Sequence, residues 1–148
     1  MGRYDDMVAL LEQHNLRQKV TKLTESEIND LVEKYPEAPK DYIHYLQEVG
    51  YGDIGDSYYM IYSGLVPPDG IFDAETAKEL EGLLLFGDDF SGYCGCFLTT
   101  EDWTLIEEDG SCEFYEPEMT FEDFIREKIT DYIAIIAAKD KDTEMIRG

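Results

Sequence analysis

The side chains in this sequence best suited to chemistry are its carboxylates, its three cysteines and its two histidines. Asp53, Asp56, Asp88 and Asp89 fall in two Gly-rich runs, Gly52-Asp53-Ile54-Gly55-Asp56 and Gly87-Asp88-Asp89-Phe90-Ser91-Gly92. Acids in such turns can bind a hard cation, but these lack the ligand pattern of a calcium loop. Asp is also a common turn former, because its carboxylate accepts from nearby backbone amides. Paired carboxylates serve general acid–base catalysis when held at a fixed separation, and among 34 acids adjacency alone carries little weight. Cys94 and Cys96 stand two apart in a run with strand character, which puts both thiols on one sheet face and does not match the spacing of a zinc knuckle. His14 and His44 lie among helical residues with no second ligand at a recognised spacing, and nothing near Cys112 in the sequence would lower its thiol pKa. No nucleophile motif, dinucleotide fingerprint, phosphate loop or metalloprotease helix occurs. The expectation is a protein that is not an enzyme and uses no metal or cofactor.

Charge points instead to binding. Twelve Lys plus Arg stand against 34 Asp plus Glu, a formal net charge of −22. That excess repels phosphate backbones and anionic lipid, which argues against nucleic acid and membrane as direct partners, and it steers basic proteins toward the chain. Solubility alone is the plainer reading of the same charge. Exposed loop acids and aromatic residues are types through which proteins recognise one another, so Tyr51, Asp53, Asp56, Asp88, Asp89 and Trp103 are the candidate partner contacts, on a monomer or weak homodimer. An odd number of cysteines, no apolar run of signal-peptide length behind Arg3 and no stretch near the ~18 apolar residues of a membrane span predict a cytoplasmic protein.

The flanking elements must position these residues. Met7, Val8, Leu10, Leu11 and Leu16 recur at three- and four-residue steps and predict a helix over 4–16, followed by a polar connection over 19–23. Thr24-Glu25-Ser26-Glu27 is a capping box, opening a helix that carries Ile28, Leu31, Val32 and Tyr35. Pro39 suits the first turn of a third helix with Tyr42, Ile43, Tyr45, Leu46 and Val49, and Gly50 its stop. A loop over 51–57 leads to a strand over 58–65, and Asp73 caps a short helix over 74–80. Strands over 83–86, 93–99, 103–107 and 112–115, joined by the turn at 87–92 and the Asp109-Gly110 hairpin signal, make an antiparallel meander. Thr120 opens a long helix with Phe121, Phe124, Ile125, Ile129, Tyr132, Ile133 and Ile136 on one face, and the charged tail over 139–148 frays. An aromatic share of 13% and a length of 148 residues fit one folded domain over 1–148. The fold class is α+β: a mainly antiparallel sheet of about four to six strands with N-terminal helices and a long C-terminal helix.

The order of these patterns resembles the SUKH superfamily, which includes the Smi/Knr cell-wall-assembly regulators. The family's capped first helix is matched by residues 24–27, and its Leu-Pro-x-Asp-Tyr helix ending at Asn-Gly by Ala38-Pro39-Lys40-Asp41-Tyr42 and Val49-Gly50, with Ala38 in place of Leu and Val49 in place of Asn. Its apolar strand and Gly-Asp turn resemble Leu83-Leu84-Leu85-Phe86-Gly87-Asp88-Asp89, with Ser91-Gly92 beyond. Tyr93 stands where many members carry Asp. The closing helix with Phe121, Phe124 and Ile125 extends the likeness to a span of about 23–133. The resemblance implies an α+β fold and, for bacterial members, an immunity protein that binds and neutralises a cognate toxin of a polymorphic toxin system, many such toxins being nucleases. A regulatory scaffold in cell-wall synthesis is the alternative, and a hydrolase using paired carboxylates or Cys94 and Cys96 a more distant one.

Overall fold

A computed structural model describes residues 2–109 and 113–147, with side chains as far as residue 139. Its centre is an antiparallel sheet of seven strands in sequence order: β1 Val20–Thr21, β2 Tyr51–Asp53, β3 Met60–Val66, β4 Leu83–Asp88, β5 Cys94–Leu98, β6 Thr104–Glu108 and β7 Phe114–Tyr115. Each strand pairs with its sequence neighbours, so successive turns fall at alternate ends of the sheet. The register runs Asp53, Met60, Asp88, Cys94, Glu108, Phe114 across six strands. Side-chain alternation then assigns the two faces. Ile61, Phe86, Phe97 and Leu105 belong to the main core, whereas Leu83, Leu85, Cys94, Cys96 and Ile106 form a smaller cluster with Leu80. Both thiols of the Cys94/Cys96 pair therefore lie on one face, as their spacing predicts.

Helices α1 Asp5–Gln13, α2 Glu25–Lys34, α3 Lys40–Glu48 and α5 Phe121–Arg147 supply the main core, and α4 Ala74–Glu79 lies in the long β3–β4 connection beside the smaller cluster. The capping box of α2 is complete: Thr24 Oγ1 accepts from the Glu27 N–H at 3.2 Å and Glu27 Oε1 from the Thr24 N–H at 3.0 Å. Asp73 caps α4 through the Thr76 N–H. Pro39 sits at the N-cap of α3, whose chain turns out of the helix at Gly50 with φ +115, a value glycine reaches without a Cβ clash. Tyr42 of α3 anchors the aromatic core edge-on to Phe97 and Phe121, at 5.4 and 5.2 Å between ring centroids. Arg126 of α5 clasps the other end of the chain, donating to Glu122 at 2.9 Å, to Asp6 at 2.6 Å and to the Arg3 carbonyl at 2.7 Å.

Two expectations change. The sheet has seven strands rather than four to six, because β1 and β2 occupy segments read as connection and loop; two or three residues are too few to show a period of two. Helix α5 runs to Arg147 through a stretch with Ala137 and Ala138 and neither Gly nor Pro before Gly148. Gly87 and Asp88 extend β4 instead of starting the turn. Cys112 and Gly110 lie outside the described residues, although the Asp109 N–H to Glu113 carbonyl bond, 3.3 Å, closes that hairpin.

Candidate protein-binding surface

The β2–β3 loop and the β4–β5 turn leave the same end of the sheet, because they are two turns apart in the meander. Asp53, Asp56, Asp88 and Asp89 are brought together there from two separate loops. Three of the four also build their own turns. Asp53 accepts from the N–H groups of Gly55, Ser57 and Tyr58. Asp88 accepts from the Phe90 N–H at 2.9 Å and the Tyr62 hydroxyl at 2.6 Å, and Asp89 Oδ1 from the Ser91 and Tyr93 N–H groups at 2.8 and 3.1 Å. Each such bond holds a loop in one shape. Asp56 is exposed, and its backbone N–H is held by the Tyr132 hydroxyl of α5 at 3.1 Å. Tyr132 also packs on Tyr58 and backs Gly55, so α5 braces the acidic loop from behind.

Aromatic side chains flank the acids. Phe90 is 47% exposed, Tyr93 48%, and Phe114 and Tyr115 of β7 more so. Phe90 has φ +65, a left-handed conformation that costs a bulky residue on the order of 1–2 kcal/mol, so the turn holds this ring outward against its own backbone preference. Beside Asp89 a cleft of roughly 220 Å³ is lined by Tyr59, Asp89, Tyr93, Cys94, Glu107 and Lys128. Burial pushes the Glu107 carboxyl above its usual range, Lys128 pulls it down, and Asp89 and Glu127 push it up. Burial likewise raises the Cys94 thiol, to about 11, with Glu108, Asp88 and Asp89 adding to the effect. A thiol held protonated in acidic surroundings is a poor nucleophile and a poor metal ligand at neutral pH.

The other two candidate contacts lie elsewhere. Tyr51 is half-buried against the main core at the far end of the short β2. Trp103 sits in the β5–β6 turn at the opposite end of the sheet, where Asp102 and Trp103 both have positive φ, +53 and +57. Its ring rests on Tyr35 at 6.2 Å and Phe97 at 6.0 Å. It separates two hollows, one of about 650 Å³ walled by Pro67, Pro68, Leu83 and Leu84 and one of about 480 Å³ rimmed by Asp41, Asp102, Glu118 and Asp123. Reading the residues one by one missed Glu107 and Lys128, which come from β6 and α5. The alternation of turns in a meander was the available signal that Asp53 and Asp88 share an end and Trp103 does not.

Among the described residues no group of three or more His, Cys, Asp or Glu is placed to hold a metal ion, and no helix is long and apolar enough to cross a membrane. No family model, no curated protein and no solved structure matches this chain.

Proposed function

We propose that this chain is a binding module that covers the basic surface of a partner protein with the acidic end of its sheet. One observation carries this reading: Asp53, Asp56, Asp88 and Asp89 converge from two braced loops, with exposed aromatic rings beside them. Acidic loops fixed in shape attract a cationic partner at long range and lose little loop entropy on docking, and the rings supply contact area once water is excluded. The net charge of −22 extends the same field over the rest of the molecule.

The finer proposal takes its content from the resemblance to SUKH immunity proteins. The partner is then a toxin, such as a nuclease whose phosphate-binding surface is basic, and binding in the cytoplasm neutralises it by occlusion. The first test is a pull-down from the native cytosol at low and moderate salt, expected to recover one basic protein whose capture weakens with salt. The second is Asp88→Asn with Asp89→Asn, since Asn still accepts the turn bonds while removing two charges. Association should slow several-fold at low salt with a weaker salt dependence and little change in dissociation. Unchanged association at both salt concentrations would exclude this end of the sheet.

A further inference from the structure

The cleft beside Asp89 contains a polar group that the fold leaves unused. Tyr59 is 2% exposed, yet among the described residues its hydroxyl has no hydrogen-bond partner. That oxygen lies over Gly95, 2.4 Å from where a Cβ would stand, and Gly95 pairs directly with Glu107 of β6. The absence of a side chain at Gly95 therefore leaves room for the phenol, in a cleft that Glu107 also lines. Among the described residues the Glu107 carboxylate accepts no hydrogen bond and forms no ion pair, and Asp89 Oδ2 is also unused. The ammonium of Lys128 rests over the Tyr59 and Phe124 rings at 5.3 and 5.2 Å from their centroids instead of pairing with either acid. Tyr93, half exposed, forms the aromatic wall.

We propose that this cleft is the anchoring pocket for an arginine side chain of the partner protein, a site that deepens the binding reading above and rests on it. The cleft offers the Glu107 carboxylate and Asp89 Oδ2 as acceptors, and the Tyr59 hydroxyl, itself closed to solvent, as a third when the Lys128 side chain lying over its ring moves aside. A guanidinium carries five N–H donors in a plane, enough to address all three, and its flat face can stack on Tyr93. A lysine ammonium presents three donors at one point and lacks the stacking face, so it fits less well. Buried polar atoms without partners are uncommon in folded proteins and cost stability when left so, whereas a bound guanidinium satisfies them. Such a pocket converts long-range attraction into a defined register, because one arginine of the partner must enter it while the surrounding acids only need to lie opposite positive charge.

The test uses the full chain labelled with nitrogen-15 and titrated with N-acetyl-arginine amide, read by amide chemical shifts. Saturable shifts should concentrate at Tyr93, Gly95, Glu107 and Lys128, with N-acetyl-lysine amide at least several-fold weaker. Glu107→Gln should weaken arginine binding roughly tenfold, as expected for loss of a charge-assisted bond, whereas Glu118→Gln, the same charge change at the other end of the sheet, should leave it unchanged. Lys128→Gln should tighten it by removing the competing cation. Far-ultraviolet spectra matching the parent chain would establish that each variant is folded, and Tyr59→Phe provides a second weakening change that leaves net charge unaltered. Shifts spread over many acids without saturation, or equal effects of Glu107→Gln and Glu118→Gln, would overturn the pocket. Since no partner is needed, these outcomes are independent of the pull-down: arginine binding without a protein partner would fail the function, and a partner bound equally by the Glu107→Gln chain would fail the pocket alone.

Discussion

Replacing Tyr42 with Phe tests whether this core tolerates unbonded hydroxyls as the structure places them. Tyr42 is 0% exposed and its hydroxyl has no partner among the described residues, while its ring is held edge-on by Phe97 and Phe121. A buried hydroxyl without a hydrogen bond costs about 1–3 kcal/mol in desolvation. Removing the oxygen leaves a void on the order of 10 Å³, which at about 24 cal/mol per Å³ costs roughly 0.2 kcal/mol, and the ring contacts are retained. Desolvation dominates, so Tyr42→Phe should stabilise the protein by about 1–2 kcal/mol and raise Tm by roughly 4 °C. Urea unfolding followed by the fluorescence of Trp103, the one tryptophan of the chain, measures this directly. The midpoint should rise at constant m-value. A loss of about 1 kcal/mol or more would refute the reasoning, because it would mean that the hydroxyl is bonded after all, for example to a buried water.

Burial pushes the phenol pKa values of Tyr42, Tyr45 and Tyr59 upward, so above about pH 10 the unfolded chain releases protons that the folded chain keeps. Stability should therefore be insensitive to these groups below about pH 9 and fall above about pH 10, by up to about 1.4 kcal/mol per pH unit for each tyrosine. Urea midpoints against pH, with phenolate absorbance recorded in parallel, would check it, and Tyr42→Phe should make the fall shallower. Thr24→Ala removes the bond to the Glu27 N–H and undoes the reciprocal box, which should cost about 1 kcal/mol in the same unfolding assay; no change would mean that α2 is fixed by packing alone.

Much of the fold was legible because its signals are local. The Thr24 cap, the Gly50 exit and the strands β3 to β6 each depend on a few adjacent residues and recur in the structure to within two positions at most ends. Strands β1 and β2 were not legible, since their pairing is decided by what lies beside them in space. The acids at positions 53, 56, 88 and 89 were recognisable by loop position, but their second duty as turn builders depends on backbone geometry that residue type alone does not fix. The cleft beside Asp89 was the least visible part. It depends on Gly95 facing Glu107 across a register and on a lysine contributed from α5, a juxtaposition created by tertiary packing.

A meander in strict sequence order lets each hairpin tip change without rerouting the chain. Lengthening the β4–β5 turn by a residue or two alters one closed loop, at an entropic cost that grows only slowly with length, and leaves every strand with the same neighbours. The loops at the acidic end can therefore diverge one at a time in their aromatic rings and charges, while the sheet and the Arg126 clasp between the ends of the chain keep the scaffold constant. An architecture of this kind separates the evolution of recognition from the requirement to fold.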